Sequence, residues 1–129
     1  MRSQYKPRII ISTDRYNKTK GENSANYMQF RESLDMGGIK YHKSFGYFEG
    51  IHERSFLIDY TPRNFEVALG AMRFYEQDCI LIIDNEGFGT LHYSEDKEPE
   101  IIGKINVSDK EPSGDHTYLP FTCEYITFT

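Results

Sequence analysis

The sequence contains only two cysteines, no tryptophan and no long apolar run. Cys79 and Cys123 are too far apart to form a CxxC metal motif, so we expect reduced cysteines in a cytoplasmic protein. No apolar stretch approaches the roughly eighteen residues that a membrane-spanning helix needs, and we recognise no targeting signal. These absences predict a cytoplasmic chain that neither enters a membrane nor needs a disulfide for its stability.

Motifs for several kinds of chemistry are also missing. The sequence has no HExxH zinc motif and no glycine-rich phosphate loop, so we expect no bound metal and no cofactor. The formal net charge of −5 argues against general nucleic-acid binding, because attraction to phosphates depends on basic contacts. Basic residues dominate residues 1–20 and acidic residues dominate residues 94–129. This asymmetry fits two solvated faces of opposite charge, or a basic rim that attracts an anion.

The clearest secondary-structure pattern lies in the middle of the chain. Residues 55–60 form an apolar strand pattern, and Thr61 with Pro62 suits the start of a helix. Residues 65–75 carry one apolar stripe at helical spacing, and residues 79–83 form a second apolar run. Strand, helix and strand within about thirty residues predict a crossover unit in which a helix covers two parallel strands.

A similar pattern precedes this unit. Residues 8–12 form a short apolar run that predicts a buried strand. Asn23 or Ser24 can cap a helix that stops at Gly37 and Gly38. The following segment alternates apolar and polar residues, which is typical of an edge strand.

The order strand, helix, strand, strand, helix, strand predicts the fold class. We expect one α+β domain over residues 1–129, an α/β sandwich with a ferredoxin-like split βαβ core (βαββαβ) in residues 8–93. Residues 94–129 are expected to form an acidic extension of additional antiparallel strands.

Two H-x-S motifs supply a candidate catalytic set. His42 with Ser44, and His92 with Ser94, each lie on or just after a predicted strand. Two-histidine phosphoesterases use such paired motifs, in which one imidazole acts as base, the other as acid, and the hydroxyls hold the phosphate. The alternative function is therefore a phosphodiesterase for a small or cyclic nucleotide, if both histidines face one cleft. The simpler interpretation is two strand histidines and two surface serines.

A second cluster consists of arginines and nearby polar residues, which favour anions. The predicted ligand-binding residues are Arg15, Arg54, Ser55, Arg63, Arg73 and Gln77. Arg15 lies on a long loop that, with Lys18 and Lys20, could close over a ligand. The alternative is structural, with Arg54 and Arg73 paired to neighbouring acids.

Several short motifs carry a family resemblance. Asn23-x-x-Asn26, Gly46, residues 53–57 (ERSFL) and residues 71–77 (AMRFYEQ) occur in an order and spacing that resembles the domain of unknown function 3293 family of bacteria and phages. The resemblance covers roughly residues 8–93. It implies a small cytoplasmic accessory protein of the kind that phages encode, and it assigns no catalytic residue.

These observations favour a binding protein without catalysis. We expect it to recognise a host protein or to sequester a small anionic, nucleotide-like ligand, without general nucleic-acid or membrane binding. The Arg-containing cluster is the predicted site, the two-histidine phosphodiesterase is the alternative, and self-association into a homo-oligomer stays open.

Overall fold

The structure, a computed structural model, describes residues 5–129. Its elements in chain order are β1 (Arg8–Ser12), α1 (Lys20–Met36), β2 (Tyr41–Phe48), β3 (Ile51–Asp59), α2 (Pro62–Phe74), β4 (Cys79–Ile83), β5 (Phe88–Tyr93), β6 (Glu100–Ser108), β7 (His116–Leu119) and β8 (Glu124–Phe128). The predicted strands β1 and β4 are confirmed, and so is the helix start at Thr61, whose hydroxyl accepts from Asn64 N at 3.0 Å. Neither helix in this range has the length and apolar character needed to cross a bilayer. The cytoplasmic location stays a prediction.

The strands form a closed antiparallel barrel in the order β1-β3-β2-β7-β8-β6-β5-β4. The predicted ferredoxin-like α/β sandwich is therefore wrong. The chain has the expected βαββαβ order of elements, and β4, β1, β3 and β2 are neighbours. However, β2 also pairs with β7 and β4 also pairs with β5, so β2 is not an edge strand. The strands formed by the C-terminal segment complete the ring, which leaves no free sheet edge.

Helix α1 begins earlier than predicted. Thr19, rather than Asn23 or Ser24, is the N-cap residue. The Thr19 hydroxyl accepts from Glu22 N at 3.1 Å, and the Glu22 carboxylate accepts from Thr19 N at 2.8 Å. This capping box satisfies two N–H groups at the helix start. The helix ends at the predicted glycines, where Gly38 adopts a positive φ of 69°.

Alternation along the strands divides the apolar residues between two cores. The outer core lies between the barrel wall and the helices and includes the fully buried Phe56. Tyr27 stacks on Phe56 with ring centroids 4.7 Å apart, and Phe30 contacts it edge-on at 5.1 Å. The opposite strand faces fill the barrel with Ile10, Leu57, Leu81, Ile83, Leu119 and Ile126. Burial on both faces explains why β1, β3 and β4 contain continuous apolar runs.

The barrel interior becomes polar toward the end at which β1 finishes. Ser12, Ser44, Ser55 and Thr117 are all buried. The Ser44 and Ser55 hydroxyls lie 2.6 Å apart, and Ser12 Oγ donates to Arg54 O at 2.7 Å. This polar end of the barrel leads into the candidate site.

Candidate functional site

The barrel opens at this end into a cavity of about 540 Å³, here called the barrel cavity. Its inner wall is apolar and is formed by Ile10, Leu81, Leu91, Ile102, Ile126 and Phe128. Its rim is polar and comes mainly from the loop after β1, the start of β3 and the segment before β4. Ligand sites commonly enclose about 300–1,000 Å³ behind a few polar groups, so the cavity suits a small organic molecule.

The mouth of the barrel cavity is acidic. Its charged residues are Asp14, Glu53, Asp78 and Asp115, together with Arg15. Arg15 Nη1 lies 3.6 Å from Asp78 Oδ1, which partly offsets one of the four carboxylates. Arg54, which lies beside the mouth, pairs with Asp14, so Glu53 and Asp115 carry the excess of negative charge, and this excess favours a cationic ligand.

Glu53 differs from the other carboxylates of the mouth. It is half-buried on β3, two residues before the inward-facing Ser55. Within residues 5–129, no hydrogen-bond donor and no ion-pair partner contacts its carboxylate. Burial raises the pKa of Glu53, the charges of Asp14 and Asp78 raise this pKa further, and Arg15 opposes them. A half-buried carboxylate with a raised pKa marks a candidate functional group.

Asp14, in contrast, is held by Arg54. Arg54 Nη2 lies 2.9 Å from Asp14 Oδ1, and Arg54 Nε lies 3.2 Å from Asp14 Oδ2. The main-chain N–H of Arg54 also donates to Asp14 Oδ2 at 3.0 Å. The guanidinium covers the Tyr27 ring, 4.4 Å from its centroid, and its bond to Asp14 raises the pKa of Arg54. The Arg54 guanidinium therefore already has an anionic partner, and its contacts with Asp14 and Tyr27 hold the mouth in shape.

The loop after β1 is fixed against the segment before β4. Asn23 Oδ1 accepts from Arg15 N at 3.0 Å, and Asn23 Nδ2 donates to Arg15 O at 2.9 Å. The Arg15 guanidinium donates to Glu76 O, and Gln77 Nε2 donates to Asp14 O at 3.0 Å. These bonds set the shape of the mouth without help from a ligand.

A second cavity of about 550 Å³, here called the outer cleft, lies beside the mouth on the outer side of the β2–β3 hairpin. Residues that line both cavities are Asp14, Arg15, Tyr16, Ile51 and Glu53. The rest of the outer cleft is basic, polar and aromatic, formed by Lys18, Lys20, Asn23, Ser24, Phe45, His52 and Arg54. The two cavities therefore meet at the acidic mouth but differ in character.

The structure brings together four of the six predicted ligand-binding residues. Arg15, Ser55 and Gln77 line the barrel cavity, and Arg15 and Arg54 line the outer cleft. Arg63 and Arg73 line neither cavity. Arg63 Nη2 donates to Gly37 O at 2.6 Å, and Arg73 is exposed in the last turn of α2. Anion binding by this set stays a prediction.

The histidines of the two H-x-S motifs do not meet at a cleft. His42 is exposed, and its ring stacks on Phe121 of the β7–β8 connection with centroids 3.8 Å apart. His92 contacts Phe65 of α2 edge-on at 5.7 Å, and burial lowers the pKa of His92. Each imidazole therefore belongs to a different part of the molecule, and neither lines a cavity described above.

The serines of these motifs have structural partners. Ser44 is buried inside the barrel against Ser55. Ser94 Oγ donates to Asp78 O at 3.3 Å. The arrangement that a two-histidine phosphodiesterase needs is thus not assembled.

Sequence reasoning missed the acidic mouth. Glu53 had a usable signal, because the alternation of β3 places it on the same face as Ser55. Asp78 and Asp115 had none, since they lie on connections that only closure of the barrel brings close to Glu53.

An acidic mouth over an apolar cavity has the charge and the volume that suit a small cationic molecule. Comparison with known proteins gives the family: the model of the S-adenosylmethionine lyase family matches residues 9–126, most of the chain. The chain belongs to the S-adenosylmethionine lyase family. No curated protein matches it. The family match overturns the predicted membership of the domain of unknown function 3293 family, and with it the expectation of a binding protein without catalysis.

Metal binding has no assembled site in the part of the chain that the structure describes. Within residues 5–129, no three or more His, Cys, Asp and Glu side chains form a group that could hold a metal ion.

Proposed function

We propose that this protein cleaves S-adenosylmethionine, without water, between the sulfonium sulfur and the γ-carbon of the methionyl chain. Membership of the S-adenosylmethionine lyase family supports the substrate. The acidic mouth supports it too, because the substrate carries a sulfonium and an ammonium group against one carboxylate. The observation that carries the placement of the site is Glu53, whose half-buried carboxylate has no partner within residues 5–129.

The substrate brings its own nucleophile. One oxygen of its α-carboxylate forms a bond to the γ-carbon and closes a lactone ring, while the carbon–sulfur bond breaks and its electron pair stays on sulfur. The products are homoserine lactone and 5′-methylthioadenosine. No proton and no co-reactant is consumed, so the protein must mainly fold the methionyl chain into the reactive geometry.

An apolar site favours this reaction, because a positive and a negative charge disappear as the new bond forms. Water stabilises the separated charges of the reactant more than the transition state. We therefore assign the methionyl part to the barrel cavity, where the inner wall is apolar. Among residues 5–129, Arg15 is the one Lys or Arg residue that lines this cavity, and Glu76 O and Asp78 already bind it. The attacking carboxylate is thus not held in an ion pair.

Glu53 binds the α-ammonium group in this proposal. The ammonium keeps its charge throughout the reaction, so a carboxylate beside it stabilises the reactant and the transition state alike. A carboxylate placed against the sulfonium would stabilise the reactant more, since that charge is lost. Glu53 therefore orients the methionyl chain while the apolar wall surrounds the reacting atoms.

The test is incubation of the purified full-length protein with S-adenosylmethionine in oxygen-18 water, followed by mass spectrometry of the products. Ring closure gives 5′-methylthioadenosine and a lactone that carries no label in its ring oxygen. Attack by water would instead place oxygen-18 in the hydroxyl group of homoserine. Absence of both products would overturn the proposed function, and hydroxyl label would replace the lactone route with hydrolysis.

Two matched variants connect the activity to the site. Glu53→Gln removes the charge from the mouth, whereas Glu66→Gln removes an equivalent charge from the exposed surface of α2. We expect the first variant to lose activity and the second to keep it. Equal activities would remove Glu53 from the proposed role.

A further inference from the structure

We propose that the outer cleft binds the adenosine part of the substrate while the barrel cavity holds the methionyl part, an inference that rests on the proposed function. The two cavities have similar volumes, about 540 and 550 Å³, and share five lining residues that include Glu53. S-adenosylmethionine consists of two dissimilar parts joined at one sulfonium centre. It can occupy both cavities, with the α-ammonium group at Glu53 and the sulfonium just inside the apolar wall of the barrel cavity.

The chemistry of the two cavities decides which part each one takes. Lys20 lines the outer cleft and, within residues 5–129, has no ion-pair partner. It would pair with the substrate carboxylate there and hinder its attack on the γ-carbon. Adenosine carries no charge, so it can lie beside Lys20 without such a penalty. The polar cleft therefore suits adenosine and the apolar cavity suits the ring-closing chain.

Two exposed aromatic rings give the outer cleft a stacking surface. Tyr16 is 80% exposed, and the Arg15 guanidinium lies 5.6 Å from its ring centroid. Phe45 is 42% exposed on the outer side of β2. Apolar area of this kind is stabilised when a flat base covers it. Since every base has such a face, stacking sets the position and neighbouring polar groups set the selectivity.

The polar groups of the cleft differ in their availability. Asn23 is fully engaged by the main chain of Arg15. The Ser24 hydroxyl has no hydrogen-bond partner within residues 5–129, so it can reach a base edge or a sugar hydroxyl. Ser24 is therefore the residue of the cleft that we expect to bind the nucleoside by hydrogen bonding.

The charges of the outer cleft fix the direction of the nucleoside. Asp14 and Glu53 lie at the end that it shares with the barrel cavity, whereas Lys18 and Lys20 belong to the outer cleft alone. The 5′-carbon, which is bonded to the sulfonium sulfur, must point toward this shared end so that the sulfonium enters the barrel cavity. The 3′-hydroxyl then points away from Asp14 and Glu53, toward the basic part of the cleft.

Equilibrium binding of nucleosides to the full-length protein, measured by calorimetry, tests this arrangement independently of turnover. We expect adenosine to bind and Tyr16→Ala to weaken it about tenfold, with Tyr16→Phe close to wild type, because stacking needs the ring and not the hydroxyl. Phe45→Ala should weaken adenosine binding. Phe48→Ala is the matched control, since Phe48 is equally exposed at 43% but lines the barrel cavity alone.

Two phosphorylated nucleosides test the direction. Adenosine 3′-monophosphate should bind more tightly than the 5′-monophosphate, because the 5′-phosphate would face Asp14 and Glu53. Lys20→Ala should reduce this preference. The reverse order of affinities would overturn the proposed direction.

The outcomes separate this inference from the proposed function. Cleavage of S-adenosylmethionine with unchanged adenosine affinity in Tyr16→Ala and Phe45→Ala would overturn the adenosine site and leave the lyase assignment intact. Adenosine binding that depends on Tyr16 and Phe45, without any cleavage, would support the site and overturn the lyase assignment.

Discussion

Asp14 and Arg54 form a bidentate ion pair that joins the loop after β1 to strand β3 at the mouth of the barrel. Asp14 is mostly buried and Arg54 is partly exposed, and the main-chain N–H of Arg54 adds a third bond. The same guanidinium covers Tyr27 on helix α1. One ion pair thus links the rim of the candidate site to the outer core.

Arg54→Ala should destabilise the protein by about 1–3 kcal/mol, because it leaves the Asp14 carboxylate partly buried without its charged partner. Urea unfolding of the purified variant measures this change. Lys6→Ala is the control, since Lys6 and Asp59 form a mostly exposed pair at 3.0 Å that should contribute less than about 1 kcal/mol. Equal losses in the two variants would contradict the structural role of Arg54.

Activity should depend on the ionisation of Glu53. Its pKa lies above the ordinary glutamate value, chiefly because of burial, so kcat/KM should rise with pH through this raised pKa. In Glu53→Gln the acid limb of the pH profile should disappear, and kcat/KM at neutral pH should fall roughly 10- to 100-fold, the loss expected for one charge-assisted hydrogen bond. An unchanged acid limb in this variant would assign the titration to another group.

As pH rises, the contribution of Glu53 to the free energy of unfolding should fall, whereas kcat/KM should rise. A carboxyl group with a raised pKa binds a proton more readily in the folded state than in the unfolded state. The contribution of Glu53 to the free energy of unfolding is therefore largest at low pH and decreases as pH rises through the folded pKa. At neutral pH, Glu53→Gln should raise the melting temperature while it lowers activity, because it removes the cost of keeping a half-buried carboxylate ionised. Thermal melting of both proteins at neutral pH checks this; a lower melting temperature in the variant would contradict it.

Gly103 tests the closure of the barrel. It adopts a φ of 130° beside the register shift between β5 and β6, and an added Cβ would lie 2.7 Å from the main chain of Thr129. Gly103→Ala should therefore destabilise the fold by about 1–3 kcal/mol. Gly70→Ala is the control: nothing lies near its Cβ position, and alanine in a helix should stabilise by up to about 1 kcal/mol. Urea unfolding of both variants decides the point.

Closure of the barrel is the part of the fold that the sequence does not predict. Local patterns were sufficient for β1, β4 and the Thr61 cap, because apolar runs and capping residues act over a few positions. Closure of the barrel depends on distant pairs, such as Ile105 of β6 with Phe128 of β8, and alternation does not specify a strand's partner. Prediction of the candidate site has the same limit, because the site depends on which strands pair. The sequence predicts Arg15 and Gln77 as ligand-binding residues, but the mouth that they share with Glu53 exists only once the ring of strands has closed.

Cys79 reports directly on occupancy of the barrel cavity. It lines that cavity, and burial, followed by the charges of Asp78 and Glu53, raises the pKa of its thiol. The thiol therefore stays protonated near neutral pH. A protonated thiol is a poor nucleophile, so Cys79 does not attack the γ-carbon in place of the substrate's own carboxylate. Iodoacetamide should modify Cys79 much more slowly than the exposed Cys123, and peptide mass spectrometry follows both residues in one sample.

Ligands should protect Cys79 selectively. A stable analogue of S-adenosylmethionine, with an amine-bearing carbon in place of the sulfonium, should fill the barrel cavity and slow the modification of Cys79 further. Adenosine alone should leave Cys79 at its unliganded rate, because it occupies the outer cleft, which Cys79 does not line. Cys123 should react at one rate throughout, since it lines neither cavity. Equal protection by adenosine and by the full analogue would place the nucleoside inside the barrel and reverse the assignment of the two cavities.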